Sequence, residues 1–317
     1  MKALQVRPEG LVYVEVPEPA VGPGDVLVKI EAAGINYIDT VAAQNAKPEQ
    51  MPMSIGGEAG GRVVAIGAEV SDITVGQAVC FRGAPAAFAE LAVMPAARVV
   101  PVPEGFDLRL ASGLIANGIS AHYLVTSAHP VQPGDTVLVH AAAGGVGRMI
   151  ARLSKNRGAR VLGTVSSAAK ARAARASGVD ETINYVDGDF EAETMRLTNG
   201  EGVNAVYDSI GATTFFKGLN LLCTRGTMVS FGETSGPVPP LDIRVMAPKS
   251  LSLVRCVLMG YIATTEELRR RAADVFRWVE EGALTVHYHA EYPMADAQRA
   301  FEALRNRETI GKLLLIP

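Results

Sequence analysis

The chain lacks several features that mark definite classes of protein. Its 317 residues contain three cysteines, Cys80, Cys223 and Cys256, and no C-x-x-C pair. Such a sparse and odd set argues against a disulfide framework and against a structural zinc site. No apolar run approaches the roughly 20 residues needed to span a bilayer, so we expect no membrane partner. The N-terminus has no signal-peptide core, which makes the cytoplasm the expected compartment.

An excess of charge of one sign is also missing. The formal net charge is −3, and 20% of the residues are charged. This balance gives no electrostatic reason to expect nucleic acid or an anionic membrane as the main partner. The length and the 48% hydrophobic content are sufficient for two domains with substantial cores.

The distribution of residues along the chain predicts an α/β fold with a second, β-rich domain. Residues 1–117 contain short β-branched runs separated by glycine and proline, which is typical of a small barrel or sandwich. Residues 118–254 alternate strand-like and helical patterns, as a doubly wound parallel sheet of the Rossmann type requires. Residues 255–317 change composition again, and we expect them to pack on the first region as part of one discontinuous domain.

A glycine-rich turn inside the second region predicts a dinucleotide site. It follows the apolar run 136–140 and precedes an amphipathic helical pattern. The strict G-x-G-x-x-G motif is met only in part, so the strand–turn–helix context supports the prediction. Residues without side chains let the backbone approach a pyrophosphate, which the helix N-terminus attracts. The residues predicted to hold the pyrophosphate are Ala142, Gly144, Gly145, Val146 and Gly147.

An acidic residue is absent where NAD-binding Rossmann domains place one to bind the adenosine ribose. The strand that follows the turn ends at Ser166 and Ser167, and Lys170 and Arg172 come next. Hydroxyl groups and a cation suit a 2′-phosphate, which a carboxylate would repel. We therefore expect NADPH rather than NADH. The alternative is that Lys170 and Arg172 form a solvated helix face.

Motifs along the whole chain resemble one family. They are His140–Gly147, Gly163-Thr-Val165, Ile183-Asn-Tyr185, Tyr207-Asp-Ser209, Val229-Ser-Phe-Gly232, Gly260-Tyr-Ile262, Gly311-Lys312, Gly34–Asp39 and Gly57-Glu-Ala-Gly60. Together they are similar to the zinc-independent, zeta-crystallin-like NADPH:quinone oxidoreductases of the medium-chain dehydrogenase/reductase superfamily. The resemblance implies a GroES-like catalytic domain, a Rossmann domain, a cofactor cleft between them and a homodimer.

The same resemblance implies that the chain has no catalytic metal. Zinc-dependent relatives carry a cysteine and a histidine at the positions of Asn36 and Gly57, and neither residue here can supply a thiolate or imidazole. The five histidines of the chain show no ligand spacing of their own.

The resemblance also assigns roles to individual residues. Asn36 is expected near the nicotinamide ribose, and Ser120 near the carboxamide. The residues expected around the adenosine phosphate are Ser166, Lys170 and Tyr185. The remaining expected cofactor contacts are Ser209, Phe231, Gly232, Arg255 and Arg307. Alternatives stay open for Tyr185 as a core residue and for Arg307 as a surface charge.

Without a metal or an evident acid–base dyad, the expected reaction is hydride transfer to an electron-poor acceptor. Quinones and conjugated enones fit, because the anion they form is delocalised, and the family resemblance makes an NADPH:quinone reductase the leading hypothesis. Tyr37 is the candidate proton donor, although it could equally pack at the domain boundary. Two alternatives remain, namely reduction of α,β-unsaturated aldehydes, ketones or enoyl thioesters, and a non-catalytic crystallin-like role. Glu233, in place of an asparagine common in the family, brings a carboxylate near the expected cofactor site.

Overall fold

A computed structural model describes residues 1–84 and 86–317 and contains the following elements. The strands are β1 (Lys2–Arg7), β2 (Gly10–Glu15), β3 (Asp25–Ile35), β4 (Met53–Ser54), β5 (Glu58–Ile66), β6 (Ala78–Arg82), β7 (Leu91–Pro95), β8 (Val99–Pro101), β9 (Thr136–Val139), β10 (Arg160–Val165), β11 (Glu181–Asn184), β12 (Val203–Asp208), β13 (Leu222–Ser230), β14 (Ser252–Arg255), β15 (Tyr288–Pro293) and β16 (Lys312–Ile316). The α-helices are α1 (Tyr37–Gln44), α2 (Leu108–Tyr123), α3 (Gly145–Asn156), α4 (Ala168–Ala176), α5 (Phe190–Leu197), α6 (Phe215–Leu221), α7 (Thr265–Glu280) and α8 (Ala297–Arg305). Short 3₁₀ segments cover Pro48–Gln50, Ala96–Arg98, Ile243–Lys249, Leu258–Ile262 and Met294–Asp296, and a π-turn covers Leu124–Ala128.

The chain divides into two compact units. The first unit comprises residues 1–117, 263–276 and 286–317, and the second comprises residues 118–262 and 277–285.

The first unit is built on β-sheets. One sheet has the order β2-β1-β4, and a larger one has the order β15-β16-β3-β5-β6-β8, with β7 also paired to β3. The central strand β3 alternates, because Val26 and Val28 are buried while Lys29 is exposed. Its buried face joins Phe81, Phe88 and other side chains in one apolar core. The expected β-rich domain is therefore present.

The second unit contains the expected doubly wound sheet. Its strand order is β11-β10-β9-β12-β13-β14, and every neighbouring pair is parallel. The central strands are apolar on both faces, as parallel strands covered by helices must be. The order reverses at β9, and open sheets of this kind bind ligands beyond the carboxyl ends of the strands at such a point. The glycine turn follows β9 directly and therefore lies at that point.

The boundaries of the units differ from the predicted division at residue 254. Residues 255–262 and 277–285 belong to the second unit rather than to the first. Their contacts give the reason. The backbone N–H of Cys256 donates to Ser230 beyond β13, and the ring of Tyr261 stacks on Tyr123 with centroids 4.1 Å apart. The indole of Trp278 stacks on His122 with centroids 5.0 Å apart.

Among the described residues, no helix has the length and apolar character needed to cross a bilayer.

Candidate functional site

The glycine turn of the second unit brings backbone atoms unusually close together. Ala141 adopts a left-handed conformation with φ of 51°, and its carbonyl accepts from the N–H of Gly144 at 2.8 Å. A Cβ at Gly147 would collide with this carbonyl oxygen. Across the turn, a Cβ at Gly163 would lie 2.7 Å from the Cβ of Ala142. The turn therefore requires small residues at these positions.

The last residues of the glycine-rich turn already belong to helix α3. Gly144 is the N-cap, so Gly145, Val146 and Gly147 form the first helical turn. Gly144 has no side chain and makes no side-chain capping hydrogen bond, which leaves the first N–H groups of α3 available for an anion. These backbone donors fit a pyrophosphate, and the predicted residues Ala142, Gly144, Gly145, Val146 and Gly147 lie together here.

A buried pair of polar side chains supports the strained start of this turn. The Thr164 hydroxyl lies 3.0 Å from Nδ1 of His140 and accepts from the N–H of Ala141 at 3.3 Å. The Nε2 atom of His140 is buried and has no partner among the described residues. Burial lowers the pKa of His140 below its usual value, and the charge of Asp208 opposes this shift only in part. His140 is therefore neutral, and it positions the backbone from which the turn begins.

The residues expected to hold the adenosine phosphate lie beyond the carboxyl ends of β10 and β11. Lys170 on α4 donates its ammonium to the hydroxyl of Ser166 at 3.1 Å. Ser167 caps the same helix by accepting from the backbone N–H of Lys170. Tyr185 follows β11, where its N–H donates to Val165 and its side chain is 39% exposed. That exposure excludes a core role for Tyr185.

Ser209, Phe231 and Gly232 lie at the ends of β12 and β13. The N–H of Phe231 donates to the carbonyl of Asp208 at 2.8 Å, so the two segments continue the sheet side by side. A Cβ at Gly232 would lie 2.7 Å from the carbonyl oxygen of Ser209. The absence of a side chain at Gly232 thus allows these strand ends to approach one another.

Arg255 ends β14 and pairs with Glu233, with 3.2 Å between Nη2 and Oε1. Its guanidinium also donates to the carbonyls of Ser230 and Cys256. The unusual carboxylate at position 233 therefore neutralises a predicted cofactor contact. Ser120 lies on α2, and its hydroxyl bonds to the phenol of Tyr123, whose pKa burial raises.

In the first unit, Asn36 belongs to a closed ring of three hydrogen-bonded side chains. Its amide nitrogen donates to Glu58 at 2.8 Å, and its amide oxygen accepts from the ammonium of Lys312 at 2.8 Å. Lys312 also donates to Glu58 at 2.6 Å. The second carboxylate oxygen of Glu58 accepts from the N–H of Ala116 at 2.7 Å. These contacts fix which way the Asn36 amide points.

Two members of the ring, Glu58 and Lys312, are buried, and further charged side chains lie near them. The side chain of Glu58 is inaccessible to solvent, and that of Lys312 is 3% exposed. Asp39 on α1 accepts from the backbone N–H of Asn36 at 2.7 Å. Burial raises the pKa of Asp39, while the positive charges of Arg82 and Lys312 lower it less strongly.

The donor set around Asn36 does not suit zinc. A Cβ at Gly57 would collide with Nη1 of Arg82, so a guanidinium fills the space that a side chain at position 57 would need. Within residues 1–84 and 86–317, no three His, Cys, Asp or Glu side chains are placed to share a metal ion. Asn36 offers an amide, and both nearby cations would repel a metal.

Tyr37 and Arg307 also lie in the first unit. Tyr37 is the first residue of α1 and is 37% exposed. Arg307 follows α8 with φ of 59° and is exposed at the surface. Sequence reasoning missed Glu58, Lys312 and Arg82 as members of a site. Glu58 and Lys312 stand inside motifs used for the family resemblance, but only the fold shows that β5 and β16 bring them together.

Comparison with known proteins agrees with both units. Residues 22–104 match the model of the alcohol dehydrogenase GroES-like domain, and residues 145–275 match that of the zinc-binding dehydrogenases. The quinone oxidoreductase of Pseudomonas aeruginosa is 36% identical over 313 residues, covering 98% of this chain and 96% of that protein. A 2-haloacrylate reductase from a Burkholderia species is 36% identical over 322 residues, covering 98% and 96%.

A solved structure gives the same result. The crystal structure of Escherichia coli quinone oxidoreductase complexed with NADPH is 34% identical, with a TM-score of 0.94 and complete coverage of both chains. The fold and the matched domains define a medium-chain dehydrogenase/reductase. Within that class, the chain belongs to the quinone oxidoreductase family.

The ring around Asn36 gives a prediction for stability. Lys312→Met removes the cation and leaves the Glu58 carboxylate buried without its partner, which should destabilise the fold by about 3–5 kcal/mol. Urea denaturation followed by circular dichroism measures this change. Lys29→Met, on the exposed face of β3, is the matched control and should cost little. Equal stability of the two variants would contradict the buried ion pair.

His140 gives a prediction for pH dependence. Because its pKa is lowered in the fold, the unfolded chain binds a proton below about pH 6.5 while the folded chain does not. The stability contributed by neutral His140 is therefore present above that pH and is lost as the pH falls, by about 1.4 kcal/mol per pH unit.

His140→Gln should lose less stability than wild type between pH 7 and pH 5, whatever its stability at pH 7. The comparison uses the slopes of unfolding free energy against pH, with His289→Gln at an exposed position of β15 as the control. Parallel slopes for wild type and His140→Gln would refute a buried neutral imidazole.

Proposed function

We propose that this protein reduces quinones by hydride transfer from NADPH without a metal ion. The observation that supports the proposal is the hydrogen-bonded ring of Asn36, Glu58 and Lys312, because an amide and an ammonium are poor ligands for a metal ion. The similarity to quinone oxidoreductases over nearly the whole chain supports a quinone as the acceptor.

The second unit is proposed to hold the cofactor. The first N–H groups of α3 would bind the pyrophosphate, with Gly147 and Gly163 allowing the close backbone packing that the turn needs. Ser209, Phe231 and Gly232 would line the cofactor at the strand ends, and Ser120 would contact the carboxamide. When bound, NADPH supplies a hydride, and a quinone accepts it without a Lewis acid because the product anion is delocalised.

Discrimination between NADPH and NADH is proposed to depend on Ser166 and Lys170. Their hydroxyl and ammonium are already paired at 3.1 Å, so both can turn to one phosphate group. Tyr185 is exposed beside them and could donate its hydroxyl to the same phosphate. Arg255 and Arg307 are proposed as further contacts, and Arg255 would have to exchange Glu233 for the ligand.

On the acceptor side, Asn36 is proposed to contact the nicotinamide ribose. Since Glu58 and Lys312 engage both ends of its amide, it keeps one orientation throughout the reaction. Tyr37, which is 37% exposed, is proposed to supply a proton from its hydroxyl to the reduced acceptor. The role of these groups is to position and protonate, and it requires no metal-bound intermediate.

A second candidate function is reduction of an electron-poor alkene. The 2-haloacrylate reductase matches 98% of the length of this chain, and it is as similar in sequence, at 36% identity, as the quinone oxidoreductase from Pseudomonas aeruginosa. Conjugated alkenes also accept a hydride with charge delocalised onto oxygen, so the same site could serve them.

An acceptor comparison tests the proposal. Oxidation of NADPH is followed at 340 nm with 1,4-naphthoquinone, an α,β-unsaturated ketone and 2-chloroacrylate, each under matched conditions. We expect the highest kcat/KM with the quinone. A preference for either alkene would favour the second function, and NADPH binding without turnover of any acceptor would favour a non-catalytic role.

Lys170→Glu should weaken NADPH binding far more than NADH binding. The change removes one charge-assisted contact and adds repulsion, which corresponds to a loss of at least roughly 1.5–3 kcal/mol for NADPH. Calorimetric titration of each cofactor measures the difference. Arg175→Glu makes the same change of charge near the other end of α4 and should affect NADPH much less. Equal losses for both cofactors in Lys170→Glu would refute the phosphate role.

A homodimer working in the cytoplasm is also proposed. Strand β14 pairs with β13 along one side, and Leu253, Val257 and Met259 in and after it are 38%, 60% and 47% exposed. Apolar side chains along such an edge suit pairing with a second copy of the sheet. The three cysteines are free thiols, as expected in a reducing compartment. Light scattering in solution measures the oligomeric state.

A further inference from the structure

We propose that Arg82 binds the oxygen of the acceptor and stabilises the negative charge that hydride transfer creates there. This inference rests on the proposed function and assigns to it a residue that neither the motifs nor the comparisons single out. Arg82 ends β6 directly opposite Glu58 in the antiparallel ladder, and its Nη1 atom occupies the space beside the bare Cα of Gly57.

The guanidinium of Arg82 has hydrogen-bond donors that the described residues leave unused. An arginine carries five N–H donors, and one held against the backbone normally uses several of them. Among residues 1–84 and 86–317, no group accepts a hydrogen bond from the Arg82 side chain, although it is only partly exposed. The other cation of the cluster, Lys312, is buried and uses two of its three donors on Glu58 and Asn36. Arg82 is the more exposed of the two cations, and its side-chain donors make no hydrogen bond to the described residues.

Arg82 lies beside Asn36, the residue assigned to the cofactor. Asp39 holds the backbone of Asn36, and its carboxyl senses the charges of both Arg82 and Lys312. Gly57 immediately precedes Glu58, whose carboxylate binds the Asn36 amide. The guanidinium of Arg82 and the side chain of Asn36 therefore lie near each other in the first unit.

The chemistry supplies the reason for a cation. When a quinone accepts a hydride, it gains one proton and two electrons, and one of its oxygens becomes a phenolate. NADPH is oxidised to NADP⁺ in the same step, and a proton from Tyr37 or solvent then completes the hydroquinone. Donors fixed where charge develops are the strongest single contribution to many such reactions. Arg82 keeps its own protons and donates hydrogen bonds to the phenolate oxygen.

Lys312 cannot take this role, because its ammonium is bound to a buried carboxylate and to the Asn36 amide. The carboxylate of Asp39 accepts its hydrogen bond from the backbone N–H of Asn36 and not from the guanidinium of Arg82. A guanidinium also presents a planar fork, which suits the in-plane lone pairs of a carbonyl oxygen.

The experiment compares Arg82→Gln, Arg82→Lys and Gly57→Ala in the full-length chain. For Arg82→Gln we expect kcat/KM for 1,4-naphthoquinone to fall at least about tenfold with unchanged NADPH affinity. Arg82→Lys should recover part of the loss, because the charge returns without the fork. Arg62→Gln, which removes an exposed arginine of neighbouring β5 paired with Glu31, is the matched control and should behave as wild type.

Gly57→Ala tests the placement directly. The new Cβ must displace the flexible end of Arg82, so this variant should lose acceptor activity while the arginine is still present. In the Arg82→Gln background, the same change should have no further effect. An equal further loss in that background would show that the two residues act independently, and would overturn the proposal.

A binding measurement separates this inference from the proposed function. Calorimetry with 2-hydroxy-1,4-naphthoquinone, which carries a negative oxygen at neutral pH, follows binding to the NADP⁺ complex without turnover. We expect wild type and Arg62→Gln to bind it and Arg82→Gln to bind at least about tenfold more weakly. Weaker NADPH binding in Arg82→Gln, or unchanged binding of the anion, would overturn the proposal. A wild type that binds the anion but reduces no quinone would refute only the proposed function.

Discussion

The buried ion pair between Lys312 and Glu58 is the interaction on which the candidate chemistry depends. Burying either charge without the other would be very costly, so the pair favours the one arrangement in which β5 and β16 lie close together. In that arrangement Glu58 and Lys312 both contact Asn36, whose amide completes the ring. The charges of Glu58 and Lys312 thus fix the orientation of the neutral Asn36 amide without contacting a ligand themselves.

In the second unit, the candidate site is positioned by close backbone packing rather than by an ion pair. A parallel sheet ends with several strands at one edge, and the turn after β9 uses that edge by tightening around Ala141. The positive φ of Ala141 costs about 1–2 kcal/mol, and the buried Thr164 and the neutral His140 stabilise it locally. Gly147 and Gly163 matter because a Cβ at either position would meet atoms of the turn.

Much of this could be predicted from the sequence, because periodicity and glycine placement are local signals. The alternation of strands and helices predicted the parallel sheet, and the absent acid after β10 favoured NADPH. Long-range pairing is not encoded in any short segment. Glu58 and Lys312 are separated by 254 positions, and Arg82 reaches Gly57 only because β5 and β6 pair in one register. The domain boundary after 254 was misplaced for the same reason, since Tyr261 and Trp278 are held by aromatic partners far along the chain.

Two arginines show why the partners of a charge matter more than its presence. The family resemblance assigned Arg255 to the cofactor, yet Glu233 and two carbonyls already engage it. Any ligand gains there only the difference between its own contact and the contacts it displaces. Within residues 1–84 and 86–317, Arg82 has no side-chain hydrogen bond to lose, so an oxygen that reaches it gains the interaction more fully. A partly buried cation with unused donors is therefore a better guide to where charge develops than a cation near a familiar motif.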